Sequence, residues 1–309
     1  MQTTSQILMI RPVAFGYNAE TAINNAFQKA GTDKNINEQA QHEFDHFVEV
    51  LKTNGIGVTV IEDTLAPHTP DSIFPNNWAS YHDDGTIVIY PMFASNRRRE
   101  REKNVMGKLK ETFEVRATFD LTAYEKDEIF LEGTGSMILD RENRIAYACA
   151  SPRTHPTVLY DFCNEMNYTP VLFSAKDAGG QNIYHTNVMM CLADKYAVIC
   201  MDSISNENEK NILLQKFQET GKEMIPISLE QMNRFAGNML QVENFEGKKF
   251  LVMSSQAYQS LTKEQIEKLE SHNPILHAPL NTIEQNGGGS ARCMMAEIFL
   301  PLKNQSNLK

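Results

Sequence analysis

The sequence predicts a single α/β domain, spanning 1–309, built as a pseudo-symmetric, five-bladed α/β-propeller of ββαβ repeats. Two observations support this. Segments with the pattern strand, strand, helix, strand recur along the chain, and each recurrence begins with small or amide residues directly before an apolar strand. The equivalent residues recur at spacings of 59, 51, 51 and 52, a period typical of propellers and arrays. These residues are Asn77, Ser136, Asn187, Asn238 and Ser290.

The ring is expected to close by pairing of the N-terminal and C-terminal strands. The fifth unit has only its first strand, the apolar run 293–300. The strand 6–13, the amphipathic helix 37–54 and the β-branched strand 58–61 can complete that unit. The length of 309 residues alone suggests about two domains, but the repeat favours a single closed domain instead. An ordinary α/β or α+β domain with a chance rhythm is the alternative.

The four complete units follow from apolar strands that alternate with amphipathic helices. A capping-box pattern from Thr262 to Gln265 marks the start of the last of these helices. The predicted units are strands 78–81, 86–90 and 115–119 with helix 98–112; strands 136–139, 145–148 and 171–173 with helix 157–166; strands 188–192, 197–201 and 224–227 with helix 207–220; and strands 239–242, 249–253 and 274–277 with helix 262–270.

Charge and cysteine content limit the functional classes. The net charge of −10, from 29 basic and 39 acidic residues, argues against a broad surface for nucleic acid or anionic membrane. It is compatible with a small amino-acid substrate in a pocket. We expect neither nucleic acid nor membrane as a partner, and a homo-oligomer is compatible with the sequence.

The five cysteines are an odd number without a CxxC pair, which predicts neither a disulfide framework nor a zinc site. No apolar run reaches the 18 or so residues of a membrane span, and the first residues lack a signal-peptide pattern. We therefore expect a cytoplasmic protein with reduced thiols, no metal and no cofactor.

A glycine-rich segment at 286–293 ends in a cysteine. Three consecutive glycines lose much backbone entropy on folding and need a structural reason. Cys293 follows them beside Arg292, and nearby positive charge and backbone N–H donors favour a thiolate. The alternative is a buried, inert cysteine after a flexible turn.

In a closed ring, the ends of equivalent strands converge on the axis. One cysteine, one histidine and one carboxylate from separate units would then form a nucleophile, an acid/base and an orienting or substrate-binding anion. Singly, a Glu-Gly pair is usually a turn and such a histidine is usually structural. The residues expected to face one another are Asn77, Glu132, His185, Asn187, Asn238 and Cys293.

With these residues in place, the chain resembles the guanidine-modifying (pentein) superfamily, which includes arginine deiminases, dimethylarginine dimethylaminohydrolases and amidinotransferases. The resemblance covers essentially the whole chain and implies the five-bladed propeller. It also implies Cys293 as nucleophile, His185 as general acid/base and Glu132 as the carboxylate that grips substrate nitrogens. The matching segments are 70–74, 132–133, 151–154, His185 and 287–294.

The chain departs from the superfamily at three positions where acidic residues are common. It has Asn77, Gly135 and Asn187 there. A guanidinium cation buried without its anions would be costly, whereas the C=O of a neutral ureido group needs N–H donors such as an asparagine amide. We therefore expect a ureido substrate, or an enzyme that must process a ureido intermediate. The chain most resembles the arginine-deiminase-related proteins that include citrulline hydrolases, which form ornithine, ammonia and carbon dioxide.

The resemblance also implies residues for the amino-acid end of the substrate. Asp71 is expected near the α-ammonium and Arg153 near the α-carboxylate, since arginine binds two carboxylate oxygens at once. One arginine of the run 97–101 is expected to join Arg153, and Arg97 is the favoured one. Asn238 is expected to contact substrate. The alternatives are a turn or cap role for Asp71 and a solvated helix start for the arginine run. The polar loop 16–35 has the length of a lid.

Two other functions remain open at the level of sequence. An arginine deiminase or dihydrolase, or a dimethylarginine dimethylaminohydrolase-like enzyme, would act on the guanidine itself. A non-catalytic binding protein on the same fold would not need a cysteine, a histidine and a glutamate together at the axis.

Overall fold

The structure is a computed structural model that describes residues 1–31 and 35–303. In these residues fifteen strands form five sheets of three strands each. The α/β class expected from the sequence is confirmed. The strands are β1 (Gln6–Arg11), β2 (Gly57–Glu62), β3 (Ala79–Tyr81), β4 (Thr86–Ile89), β5 (Ala117–Asp120), β6 (Met137–Asp140), β7 (Ile145–Cys149), β8 (Thr169–Phe173), β9 (Met190–Leu192), β10 (Tyr196–Ile199), β11 (Glu223–Pro226), β12 (Leu240–Glu243), β13 (Lys249–Ser254), β14 (Ile275–Ala278) and β15 (Ala296–Glu297).

Each sheet repeats one arrangement, in which the middle strand is antiparallel to one neighbour and parallel to the other. In β3-β4-β5, Val88 lies opposite Ser80 on the antiparallel side and opposite Phe119 on the parallel side. The sheets β6-β7-β8, β9-β10-β11 and β12-β13-β14 follow the same pattern. A hairpin gives the antiparallel pair, and a longer crossover is needed for the parallel strand.

The fifth sheet joins the two terminal regions. β1 pairs in parallel with β2 and antiparallel with β15, where Ile7 lies opposite Glu297 and Leu8 opposite Ala296. The expected pairing is therefore present, but the predicted strand 293–300 is too long. Its first residues form a helical turn, in which the N–H of Cys293 donates to the carbonyl of Ser290 at 3.0 Å.

The helices connect and cover the sheets, and the described residues also contain short 3₁₀ turns at Pro75–Asn77, Arg99–Glu102, Thr122–Asp127 and Met201–Ser203. In the described part of the chain, no helix combines the length and apolarity that a membrane crossing requires. The α-helices are α1 (Ala19–Ala22), α2 (Ile36–Thr53), α3 (Ser95–Arg98), α4 (Val105–Thr112), α5 (Gly133–Ser136), α6 (Pro156–Met166), α7 (Thr186–Met189), α8 (Glu207–Glu219), α9 (Leu229–Asn233), α10 (Ser255–Ser260), α11 (Lys263–Glu270), α12 (Asn281–Gly287) and α13 (Ala291–Met294).

The predicted helix 98–112 is interrupted. Lys103 has extended backbone, and its ammonium pairs with the buried carboxylate of Asp63. A long-range ion pair of this kind leaves no periodic trace in the local sequence. The capping box at α11 is confirmed, because the hydroxyl of Thr262 accepts from the N–H of Gln265 and the Gln265 side chain accepts in return.

Helix α12 was not predicted, because its N-terminus is completed by a distant residue. The Glu43 carboxylate on α2 accepts the N–H groups of Thr282, at 2.8 Å, and Ile283, at 3.1 Å. A carboxylate at this place satisfies unpaired helix N–H groups and favours the helix dipole. Helix α2 itself buries the apolar face expected from its spacing, including Phe44, Phe47 and Leu51.

The turns that precede β3, β6, β9, β12 and β15 contact one another in sequence order. These turns carry the residues that define the sequence repeat. The connecting hydrogen bonds run from Thr134 Oγ1 to Asn76 O (3.3 Å), from Thr186 Oγ1 to Ser136 O (2.6 Å), from Asn238 Nδ2 to Asn187 O (2.8 Å) and from Arg292 N to Asn238 Oδ1 (3.0 Å).

Candidate active site

The sulfur of Cys293 lies against two asparagine amides. Cys293 is on α13 and only 4% exposed. The amide nitrogens of Asn187 and Asn238 lie 3.4 Å and 3.3 Å from Sγ. The sulfur of Cys293 therefore accepts from two side-chain N–H groups.

Asn238 has its amide orientation fixed by backbone partners. Its Oδ1 accepts from the N–H of Arg292, and its Nδ2 also donates to the carbonyl of Asn187. The donor end therefore faces Cys293. The sequence prediction placed Asn238 on the substrate, whereas the structure places its amide on the sulfur.

His185 and Glu132 form a buried pair. His185 Nε2 lies 2.7 Å from Glu132 Oε2, and Glu132 also accepts from the N–H of Phe93 at 3.0 Å. Burial by itself would raise the pKa of Glu132, but the nearby Arg153 guanidinium and the bond from His185 outweigh it and hold that pKa well below its usual range. Burial lowers the pKa of His185 to about 4, against the raising effect of Glu132. At neutral pH the pair is thus a carboxylate that accepts from a neutral imidazole, with Nε2 protonated.

This pair predicts a pH-dependent contribution to stability. The unfolded chain protonates histidine near pH 6.5, well above the folded pKa, so between these values the unfolded state binds more protons and acid favours unfolding. We expect the free energy of unfolding to fall more between pH 7.5 and 5 in the wild type than in His185→Gln, whose amide still donates to Glu132. Urea denaturation of both proteins at both pH values measures this. An equal fall would contradict a neutral buried His185.

Arg97 is buried and orients Asn77. Its Nη1 donates to Asn77 Oδ1 at 2.6 Å, its Nε to Glu100 at 2.8 Å and its Nη2 to the carbonyl of Phe74 at 2.9 Å. With Oδ1 occupied, Asn77 Nδ2 is left buried without a partner among the described residues. Because the guanidinium is already held by protein groups, the structure favours orientation of Asn77 over a free carboxylate-binding role for Arg97.

Asp71 and Arg153 both contact the segment that contains α1. Asp71 Oδ2 accepts from Asn18 at 2.8 Å and from the hydroxyl of Thr21 at 3.0 Å. Arg153 donates to the carbonyl of Thr21 at 2.7 Å and to Asn24 at 2.8 Å. Burial raises the pKa of Asp71, and Arg97 opposes this. The groups expected to bind the ends of an amino acid are therefore covered by residues 18–24.

A small cavity, of about 20 Å³, lies between these side chains. That volume holds about one water molecule and excludes an amino acid in this conformation. Glu132, Asn187 and Asn238 stand behind the lining, in contact with His185 or Cys293. The lining consists of Thr21, Asn25, Asp71, Phe74, Asn77, Arg97, Arg153, Tyr184, His185, Gly287, Gly288, Gly289 and Cys293.

Several buried polar atoms around the cavity have no hydrogen-bond partner within the described ranges. They include Asn77 Nδ2, which can only donate, and Asp71 Oδ1 and Asn187 Oδ1, which can only accept. Leaving such groups unpaired costs about 1–3 kcal/mol each. Of these residues, Asn77 and Asp71 line the cavity, and their unpaired atoms indicate a ligand with both a hydrogen-bond acceptor and a hydrogen-bond donor.

Gly135 provides the space in which Asn77 and His185 meet. A Cβ at this position would lie 2.4 Å from Asn77 Nδ2 and 2.8 Å from His185 Nδ1. Any larger side chain would displace one or both groups. The acidic residue that the superfamily resemblance leads one to expect here would therefore clash with both groups in this arrangement.

Sequence reasoning missed the residues that hold the glycine-rich segment. Gly288 has a φ of +64°, a left-handed conformation that ends α12 and favours glycine. Its carbonyl accepts from the hydroxyl of Tyr184 at 2.7 Å and from Asn25 Nδ2 at 3.2 Å. Tyr184 could have been identified as a site residue from the sequence, because it directly precedes the predicted acid/base His185. Asn25 lies in the predicted loop 16–35, which has no periodic pattern and of which residues 32–34 lie outside the described residues.

The sequence matches a known protein family over most of its length. The sequence profile of the family described as "N,N dimethylarginine dimethylhydrolase, eukaryotic" matches residues 11–300. No curated protein matches the chain significantly in sequence.

Solved structures share the fold over nearly the whole chain. ArgZ, an arginine dihydrolase from the ornithine-ammonia cycle in cyanobacteria, is 16% identical with a TM-score of 0.76; the match covers 96% of this chain and 41% of ArgZ. The N-terminal domain of ArgZ, bound to substrate, is 17% identical with a TM-score of 0.75, and the match covers 96% of this chain and 98% of that domain. A dimethylarginine dimethylaminohydrolase adduct with S-methyl-L-thiocitrulline is 12% identical with a TM-score of 0.66, with 96% of this chain and 100% of that one covered.

At identities this low, the structural likeness shows the fold alone, and this chain spans less than half of full-length ArgZ. The family match, by contrast, extends over almost all of the sequence. The chain therefore belongs to the N,N-dimethylarginine dimethylhydrolase family of the pentein guanidino-modifying superfamily.

Proposed function

We propose that this protein hydrolyses the ureido group of citrulline to give ornithine, ammonia and carbon dioxide. The observation that carries the proposal is the fixed amide of Asn77. Arg97 occupies its oxygen, so only the N–H donor faces the cavity. A donor suits the carbonyl oxygen of a ureido group, and a guanidinium has no such acceptor.

In the proposed mechanism Cys293 is the nucleophile. Its sulfur attacks the ureido carbon as the thiol proton passes to His185, and Glu132 stabilises the resulting imidazolium. The carbonyl oxygen becomes an oxyanion that accepts from Asn77 Nδ2, a donor already in place before the reaction. Asn187 and Asn238 hold the sulfur through their amide nitrogens.

Breakdown of the tetrahedral adduct releases ornithine. His185 returns its proton to the leaving amine as the carbon–nitrogen bond breaks, which leaves a carbamoyl thioester on Cys293. His185 then takes a proton from water as that water attacks the thioester. The carbon–sulfur bond then breaks, and His185 returns its proton to the sulfur of Cys293. The released carbamic acid decomposes to ammonia and carbon dioxide.

The amino-acid end of citrulline is assigned to Asp71 and Arg153. Both are buried beside the cavity, and both now bond to residues 18–24. We propose that this segment moves aside when substrate enters. The unpaired Asp71 oxygen then accepts from the α-ammonium, and Arg153 exchanges Thr21 and Asn24 for the α-carboxylate.

The same proposal includes the arrangement of the five sheets as blades around one axis. It is supported by their common strand order and by the hydrogen bonds that link consecutive turns. A cytoplasmic location is also proposed, since all five cysteines are free thiols.

The test is a parallel steady-state assay with citrulline, arginine and dimethylarginine, in which ornithine and ammonia are both measured. We expect citrulline to give the highest kcat/KM, with one ornithine and one ammonia released per turnover. A higher kcat/KM for arginine or dimethylarginine would instead assign the chain to the guanidine-directed function.

A further inference from the structure

A buried carboxylate outside the proposed catalytic set lies behind the glycine-rich segment. Glu284 on α12 is only 2% exposed. Its Oε1 accepts from the hydroxyl of Ser290 at 2.5 Å, and its Oε2 accepts from Gln256 Nε2 at 2.8 Å. Each oxygen thus has its own donor, which fixes the carboxylate in place. Burial raises the pKa of Glu284 to about 7.

Ser290 connects this carboxylate to the nucleophile. Its carbonyl accepts the N–H of Cys293 at 3.0 Å and of Met294 at 3.3 Å, and these bonds form the turn of α13. Its hydroxyl does not cap that helix and is used by Glu284 instead. Ser290, whose carbonyl accepts from the backbone of Cys293, is therefore itself bonded through its side chain to a different helix.

Helix α12 is held near both of its ends by hydrogen bonds to distant residues. Glu43 of α2 holds its first N–H groups, and Asn286 near its end accepts from the N–H of Gly31 at 3.0 Å. A buried acid is costly unless it is paired or hydrogen-bonded to useful partners. Here its bonds connect an anchored helix to the turn that carries the reactive sulfur.

We propose that Glu284 is a positioning residue for the nucleophile: through Ser290 it sets where Cys293 lies relative to Asn187 and Asn238. The inference rests on the proposed function only in treating Cys293 as the nucleophile. Glu284 does not line the cavity beside Cys293 and is not assigned a contact with substrate.

The surroundings of Glu284 permit a direct test. Glu284 lies in the wall of a separate cavity of about 790 Å³, which Lys29, Gln256 and Gln285 also line. Truncation to alanine would leave a carboxylate-sized space that opens onto this cavity. Added acetate can then reach the hydroxyl of Ser290 and replace the missing acceptor.

The experiment measures citrulline turnover and the rate at which iodoacetamide alkylates Cys293. In Glu284→Ala we expect both rates to fall by about 100-fold, the effect of a displacement near 1 Å, with KM little changed. Acetate should restore both rates as its concentration rises. Ser290→Ala should show the same loss without rescue, and Glu284→Gln should stay close to wild type, because its amide oxygen still accepts from Ser290.

Asp140 serves as the matched control, since it is equally buried but bonds Asn143 and pairs with Lys222 at 3.5 Å. Asp140→Ala should keep the alkylation rate of Cys293 and show no response to acetate.

The proposal is overturned if Cys293 in Ser290→Ala is alkylated at the wild-type rate, or if its alkylation in Glu284→Ala is slow but insensitive to acetate. If Glu284→Ala does not fold, the alkylation rate of Cys293 in Ser290→Ala decides whether the proposal holds. Should wild type fail to hydrolyse citrulline, the proposed function fails, while alkylation still reports on Glu284.

Discussion

Replacing Cys293 with alanine is expected to lower kcat for citrulline by at least about 10⁴-fold, because the reaction loses its covalent intermediate. The sulfur is the atom on which the amides of Asn187 and Asn238 converge. Binding should persist, since none of the groups assigned to the ends of citrulline is changed. The measurement is steady-state turnover together with citrulline binding by calorimetry.

Cys163 provides the matched control. It is buried on α6 and is not assigned to the site, and burial raises its pKa to about 12, so its thiol is inert at neutral pH. Cys163→Ala should retain the wild-type kcat. Wild-type turnover in Cys293→Ala would end the mechanism. A wild-type protein that binds citrulline and never turns it over would instead support a binding protein on this fold.

Replacing Asn77 with aspartate is expected to lower kcat/KM for citrulline by about 10²–10³-fold, the cost of losing one oxyanion donor. Arg97 would keep one carboxylate oxygen, as it now keeps Oδ1 of the amide. The other oxygen would then replace the N–H donor with an acceptor. That acceptor repels the ureido oxygen and suits a guanidinium, so the ratio of arginine to citrulline turnover should rise.

Asn77→Ala separates the two effects, because it removes the donor without adding an acceptor. It should lose citrulline turnover with no gain on arginine. Adding Asn187→Asp should shift preference further towards guanidines, but that change also brings a carboxylate to the sulfur of Cys293 and should slow every substrate. A citrulline preference that survives Asn77→Asp would refute the role assigned to the amide.

Much of the fold was accessible from sequence because it is repetitive. Hairpins and crossover strands have local signatures, and five copies reinforce one another even where single boundaries are wrong. The interrupted helix at Lys103 and the unpredicted α12 have a different origin. Both depend on partners far away in the chain, Asp63 and Glu43, which local periodicity does not contain.

The candidate site also has a part that the sequence predicted and a part that it did not. The repeat predicted that Cys293, His185 and Glu132 would approach one another, and the structure brings them around a single cavity or into contact with its lining. The contacts of Arg97 and Asn238 could not be predicted from the sequence. The direction in which the N–H end of Asn77 or Asn238 points depends on which neighbour donates to its oxygen, and these neighbours are Arg97 and Arg292. Spacing in the sequence carries no information on that choice.

The sequence by itself determined the residue types and their common phase in the repeat, because covalent order and apolar periodicity are properties of the chain. Only the tertiary structure decided which atoms of those residues face the cavity. Arg97 occupies the side-chain oxygen of Asn77, so the N–H end of that amide faces the cavity, and Glu284 accepts from the hydroxyl of Ser290, three residues before Cys293. Hydrogen bonds are short and directional, so these choices arise only when distant segments have packed to within a few ångströms.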